Sequence, residues 1–317
     1  MKRNDKAMDV VRKFESAVAR NLRIAFVGAL VLHCAAAQAE ESGQTNWPMG
    51  VQTVGDAILP PPGDTEFYSY TQNYDAYSDT NSQGKNSVPG FRLTVLASAQ
   101  RVIHTWNQSL GNFNFSSGVI LAENYLSLRA DGSSGSTVGL NYIYLNPLFV
   151  TYNLPKLHFM FAPSVFIPVG SYSRNNFINP AFNYYTFTQE MAINYNPTPR
   201  LEITAEPTFS VNFTDPATGY HSGANFIGEG GINYAAIPSH PNLFLGMTGY
   251  FADQFTNDTQ HGVVVGDGNK LEKLAIGPQL IYYFTPATAV VFKWQHEVLV
   301  HNGPKGDRFW FEFALPL

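Results

Sequence analysis

The residues in this chain best placed to do chemistry are charged groups set among apolar ones: Glu190, Glu202, Glu206, Glu229, Glu297 and Glu312, with Lys273, Lys293 and Arg308. Two readings fit them. They are the selectivity lining or solute site of a pore, or a charge network bracing a filled interior; the residues alone leave both open. A hydrolase would need a nucleophile, a base and an orienting group within hydrogen-bond reach. His158 and Ser164 supply the types, but no nucleophile motif surrounds the serine. The histidines at 104, 158, 221, 240, 261, 296 and 301 lack the close paired spacing of a metal site. Gly228-Glu229-Gly230-Gly231 lies in a strand pattern and opens no helix, so it is no phosphate loop. The expectation is a protein with no catalytic site, no metal and no cofactor.

The elements that carry these charges follow from the stretch Leu201–Phe213, LEITAEPTFSVNF. Its odd positions are all apolar and its even positions all polar, the period of a strand with unlike environments on its two sides. Ordinary soluble strands run to about 5–6 residues and tilted membrane-spanning strands to about 9–11, so this length favours a stave of an outer-membrane barrel.

The beginning of the chain agrees. Lys2, Arg3, Lys6, Arg12, Lys13, Arg20 and Arg23 precede an apolar run, 24–32, and then Ala37-Gln38-Ala39, the plan of a secretory signal peptide over 1–39. Cleavage there removes Cys34, the single cysteine, and leaves no disulfide or cysteine ligand. The formal net charge is −5 for the whole chain and more negative once that basic leader is gone, which argues against nucleic acid as a partner. Residues 40–65, polar or Pro-rich, read as a periplasmic lead-in, either below the barrel or folded into its mouth, to a barrel over 66–317.

About twelve strands are expected, at 66–77, 91–106, 117–129, 136–151, 155–167, 183–195, 201–213, 221–236, 243–255, 271–284, 289–300 and 308–317. The fold class is all-β, an antiparallel transmembrane β-barrel. With the first strand rising from the periplasm, inner turns such as 196–200 and 285–288 are short, whereas outer loops such as 78–90, 168–182, 256–270 and 301–307 are long; 107–116 and 130–135 break that rule.

Alternation also assigns faces. Val290, Phe292, Trp294, Val298 and Val300 share one side and Lys293, Gln295 and Glu297 the other. A charge facing lipid near the midplane costs about 2–4 kcal/mol, so Lys293 must face the lumen. Tyr250, Gln254, Lys293 and Glu297 are the residues expected to line that lumen and meet solute. Tyr68, Tyr70, Tyr74, Tyr185, Tyr220, Tyr234, Tyr282 and Phe284 fall near strand ends, where aromatic girdles sit. Pro147, Pro163, Pro207 and Pro278 fall inside strands and predict local breaks in pairing.

Several short motifs resemble the outer-membrane family of phenol meta-degradation (MetA-pathway) proteins. They are Phe161-Ala162-Pro163-Ser164 leading to Pro168-Val169-Gly170, the Thr218–Gly223 stretch TGYHSG, Gly249-Tyr250-Phe251 with Gln254 and Asp258, Gly277-Pro278, and Pro304-Lys305-Gly306-Asp307. The resemblance implies a barrel that admits hydrophobic or aromatic solutes. The last strand, ending in alternating aromatics and Leu317, looks like the signal read by the barrel assembly machinery. The reading is therefore a passive channel in the outer membrane of a Gram-negative bacterium, surrounded by outer-membrane lipid. The alternatives are a secreted β-sandwich binding module and a closed structural or enzymatic barrel.

Overall fold

The computed structural model describes residues 45–317, and the expected leader lies outside the described residues. Among the described residues fifteen strands occur: β1 (Thr65–Thr80), β2 (Arg92–Leu110), β3 (Phe113–Ala130), β4 (Ser133–Asn153), β5 (Leu157–Pro168), β6 (Thr186–Thr198), β7 (Leu201–Asn212), β8 (Tyr220–His221), β9 (Asn225–Tyr234), β10 (Leu243–Gln254), β11 (Thr259–Gln260), β12 (Val263–Val264), β13 (Glu272–Thr285), β14 (Thr288–His301) and β15 (Gly303–Pro316). Twelve of them close into one antiparallel barrel, in the order β1-β15-β14-β13-β10-β9-β7-β6-β5-β4-β3-β2, while β12-β11-β8 form a small separate sheet in the loops. Closure by β1 on β15 pairs Glu66 with Pro316 through to Thr80 with Gly303, so no edge faces lipid. A sandwich of two sheets is thereby replaced by one closed sheet.

The polar-in, apolar-out alternation holds around the wall. In β7 the side chains of Glu202, Thr204, Glu206, Thr208, Ser210 and Asn212 are buried inside, whereas Phe209 and Val211 are exposed outside. In β14, Phe292 is 51% exposed and Gln295 fully buried, the register that the charges required. The phase changes further on. A bulge in β14 leaves Val298 unpaired between Glu297, opposite Ala275, and Leu299, opposite Leu274, and Val300, expected on the lipid face, is buried inside.

Four further expectations are corrected. The segment 107–116 is not a long connection: β2 and β3 run on to Leu110 and Phe113 around a turn at Gly111, whose φ is +59°. Its polar residues resembled a loop, but the backbone ladder continues to the pair Leu110–Phe113. The segment 301–307 is not a loop either. Asn302, at φ 54°, turns the chain directly into β15, and a Cβ on Gly306 would stand 2.1 Å from the Asp75 carbonyl, so β1 and β15 approach as closely as only glycine permits. The expected strand at 221–236 is divided, with β9 alone in the wall and β8 in the loop sheet. Among the girdle aromatics, Tyr185, Tyr234, Tyr282 and Phe284 are exposed on the outer surface, but Tyr68, Tyr70 and Tyr74 point inward and Tyr220 belongs to β8.

The in-strand prolines leave gaps in the ladders, Pro147 on both sides and Pro163, Pro207 and Pro278 on one. Pairing of β4 with β5 stops at Leu145–Val165 and resumes at Val150–Phe161, across Pro147 and Pro163. The β13–β14 ladder likewise skips Pro278, and β6–β7 skips Pro207. A missing N–H is tolerated where the opposite neighbour still pairs, as β7 does with β9 at Pro207–Gly228.

With β1 rising from the periplasm, the end carrying the start of β1 and the end of β15 is the inner end. Residues 45–64 do not wait below it. They run down the lumen from Asn46, whose Nδ2 donates to Thr186 Oγ1 at the outer end of β6 (2.7 Å), to Gly63, whose N–H donates to the Thr105 carbonyl at the inner end (2.9 Å).

The lipid-face register predicts a depth series. Phe292→Arg, near the middle of the apolar band, is expected to cost about 2–4 kcal/mol of barrel stability, and Phe284→Arg, at the inner rim, about 0–1 kcal/mol. Reversible urea unfolding in lipid vesicles measures both. A larger cost at position 284 would reverse the assignment of depth.

Candidate functional site

The lumen is organised by the segment 45–64, here called the plug. A chain without secondary structure inside a barrel must find partners for its own N–H and C=O groups. The wall supplies them. Gln52 N–H donates to Glu229 Oε2 (2.8 Å), Gly55 N–H to Thr204 Oγ1 (3.2 Å) and Ala57 N–H to Asn194 Oδ1 (2.7 Å). Trp47 Nε1 donates to Glu229 Oε1 at 2.6 Å, and Thr53 Oγ1 to Gln279 Oε1 at 2.7 Å.

Lys293 anchors the middle. Its ammonium pairs with Glu312 at 2.7 Å and donates to the carbonyls of Gly50 (3.0 Å) and Val51 (2.6 Å) and to Thr53 Oγ1 (3.0 Å). Gln295 Nε2 adds a bond to Gly50 O at 3.2 Å. A side chain on Gly50 would meet Gln295 Oε1 at 1.9 Å, so the φ of +89° there is matched by a lack of room.

Of the other expected lining residues, Glu297 is the centre of a second cluster. It accepts from Tyr250 Oη (2.6 Å), Tyr74 Oη (2.8 Å) and Gly306 N–H (2.7 Å), and pairs with Lys273 at 3.0 Å and Arg308 at 3.5 Å. Arg308 lies 4.0 Å over the Tyr74 ring. Gln254 is higher, donating to Asp258 Oδ1 at 2.7 Å. Asp258 also receives Tyr220 Oη (2.5 Å) and Gly223 N–H (2.8 Å), tying β8 and the loop after β10 together. Burial pushes the Asp258 carboxyl above the usual range, against the pull of those donors. Tyr250, Gln254, Lys293 and Glu297 thus all face inward, but each is engaged by a structural partner, and none borders either of the cavities described next.

Two cavities flank the plug on the β1–β2 side. The outer one, about 150 Å³, lies between Trp47 and Met49 and a wall that includes Gln72, Leu93, Ala122, Tyr142, Tyr144 and Phe166. The inner one, about 370 Å³, is bounded by Leu59, Pro60, Tyr68, Ile103, Met160 and Tyr283 among others. Both touch Val51, Gln52 and Tyr70, which form the partition. With its amide oriented to suit both neighbours, Gln52 donates to Asp56 Oδ1 at 2.8 Å and accepts from Arg101 Nη1 at 2.9 Å. Arg101 in turn stands 4.0 Å from Glu190, which accepts from Tyr144 Oη (2.5 Å), Asn146 Nδ2 (2.7 Å) and Ser164 Oγ (2.8 Å).

The outer cavity is aromatic on two sides. Tyr144 and Phe166 stack at 4.1 Å, Tyr142 meets Phe166 edge-on at 4.6 Å, and Trp47 closes over them at 6.0 and 6.4 Å. Sequence reasoning found neither this cluster nor the partition. The wall residues were legible as the inward phase of their strands, but the residues facing them come from a segment with no periodicity. His158 and Ser164 are not brought together. Six residues separate them along β5, roughly 20 Å at about 3.3 Å per residue, and His158 Nδ1 bonds Asn153 at the inner rim. No group of three or more His, Cys, Asp or Glu among the described residues has the arrangement of a metal site.

The model of the family described as "Putative MetA-pathway of phenol degradation" matches residues 77–313. No curated protein matches the chain. Among solved structures, an outer membrane channel from Pseudomonas putida F1 is similar at 16% identity, covering 83% of this chain and 98% of that one, with a TM-score of 0.73. The β domain of the Bordetella autotransporter BrkA is similar at 10% identity, covering 81% and 100%, with a TM-score of 0.49. The fold is that of an outer-membrane β-barrel, and the protein is one of the bacterial outer membrane.

The clamp on the plug yields a prediction. Lys293→Met leaves Glu312 buried without its cation and should cost about 3–5 kcal/mol, as removing one partner of a buried pair does. The barrel should still show heat-modifiable mobility, while a cysteine probe at Thr53, buried behind the clamp, becomes reactive to maleimide only in that variant. An unreactive probe in both backgrounds would mean that other bonds hold the plug.

Proposed function

Because the chain belongs to the MetA-pathway family of phenol degradation, we propose that it is a passive channel for small hydrophobic or aromatic solutes, and not an enzyme. One observation carries the reading: two cavities lie on the same wall, one toward each end of the lumen, and share a single partition at Val51, Gln52 and Tyr70. Passage then needs movement of a few side chains and not withdrawal of the plug. Solute crosses such a path if binding on each side is favourable enough to enter and weak enough to leave. The linings suit apolar solutes, since Leu93, Ala122 and Phe166 border one cavity and Leu59, Pro60 and Ile103 the other. No energy input or cofactor is called for.

A second reading, a closed structural barrel, is favoured by the number of bonds from wall to plug at Gly50, Val51, Gln52, Thr53, Gly55 and Ala57. The partners implied by the channel reading are outer-membrane lipid around Phe292, Phe309 and Phe311, aromatic solute inside, and the assembly machinery at the C-terminal strand β15.

Uptake separates the two readings. Vesicles containing the purified protein are expected to take up single-ring aromatics faster than protein-free vesicles, and faster than they take up charged solutes of similar size. Equal rates with and without protein across the panel would leave the closed barrel. Narrowing the partition with Gln52→Trp should reduce aromatic uptake about tenfold or more, since a close-packed constriction has no slack for added volume.

A further inference from the structure

The outer cavity has three properties that together name a ligand. Its volume, about 150 Å³, is that of an apolar cavity that admits benzene, so one ring fits freely while two fused rings leave almost no slack. Its walls present the faces and edges of Trp47, Tyr142, Tyr144 and Phe166, the geometry in which aromatic pairs gain beyond simple burial. The third property is polar. Gln72 borders the same cavity and is 4% exposed, yet its Nε2 has no hydrogen-bond partner among the described residues. A buried amide donor left unmet is costly, so one that borders a cavity calls for an acceptor within it.

Resting on the channel reading above, we propose that the outer cavity is a binding site for a single aromatic ring bearing an uncharged oxygen, a phenol in chemical class, with Gln72 as the donor that reads the oxygen. The ring lies between Trp47 of the plug and the Tyr144–Phe166 stack. The plug is therefore half of the site as well as the obstruction. The neighbouring cations do not turn the site toward carboxylates. Lys273 and Arg308 border the cavity, but Lys273 is bound to Glu297 and to the Pro304 carbonyl, Arg308 to Glu297 and Tyr250, and Asp79 adds a further negative charge near Lys273. A ring with a full negative charge would have to compete with Glu297 for both.

Calorimetric titration of the purified full chain in detergent with phenol, toluene, benzoate and 1-naphthol tests the site. Phenol and toluene are expected to bind, and benzoate and 1-naphthol at least tenfold more weakly than phenol. Gln72→Leu, which keeps the volume and removes the donor, should lower the ratio of phenol to toluene affinity by about threefold to tenfold, the range of one neutral hydrogen bond, with toluene affinity retained. Ala122→Phe, which fills the cavity from β3, should abolish both. Heat-modifiable mobility reports that each variant is a folded barrel, and Val95→Phe, on the same wall, replaces Ala122→Phe if that variant fails. An unchanged phenol-to-toluene ratio in Gln72→Leu, or 1-naphthol binding as tightly as phenol, overturns the proposal. Vesicle uptake separates this from the channel reading: uptake that ignores both variants sinks the site alone, while phenol binding without uptake keeps the site and sinks the channel.

Discussion

The ammonium of Lys293 is the contact on which the interior depends. It forms an ion pair with Glu312 across the β14–β15 pair and donates its three hydrogens to the two plug carbonyls at Gly50 and Val51 and the Thr53 hydroxyl. A charge on that face of β14 has nowhere to go but inward, because lipid would not accept it. Once inside, it needs a counter-charge and acceptors. The wall provides the first and the plug provides the second. The position of the plug then decides the remainder: Trp47 is set over Tyr144 and Phe166, Gln52 is set against Arg101, and the lumen is divided into two cavities in place of one bore.

Much of the wall was legible in the sequence, for a physical reason. Side-chain period two is a local property, and thirteen alternating residues from Leu201 announce a face on each side without any knowledge of neighbours. The burial of Glu190, Glu202, Glu206, Glu229, Glu297 and Glu312 follows from the same phase. Where the reading failed, a nonlocal partner had intervened. Val300 changes sides because Val298 is an extra residue in β14 against β13, a bulge that only the pairing of the two strands reveals. Residues 107–116 are strand because β2 and β3 find each other, though their composition is that of a turn. Tyr70 and Tyr74 occupy the inward phase of β1, and their phenolic groups made them look like interface residues.

The site was less legible than the fold. Tyr250, Lys293 and Glu297 were correctly phased, but phase says only that a side chain enters the lumen, not whether it meets solute or another side chain. That distinction is set by the plug, whose residues carry no periodic pattern and whose bonds are made one by one with side chains of six strands, β2, β6, β7, β9, β13 and β14. Gln72 illustrates the limit. Its neighbours Trp310 and Ala97 are fixed by register, yet what marks it, a donor with no partner, is visible only when the surroundings of its amide are complete.

The plug's path also constrains how the molecule can be made. Its first described residues bond near the outer end of β6, and it leaves the lumen at the inner end as β1, the strand that seals the cylinder against β15. A cylinder sealed first would have to be threaded afterwards by a polar segment pushed through a space that Lys293, Gln295 and Arg101 already crowd. The economical order is the reverse: the sheet curls around the segment while β1 and β15 are still apart, and the final zipping of that seam traps it. In that order the seam between β1 and β15 closes the wall and encloses the segment together, so the cavities form with the cylinder.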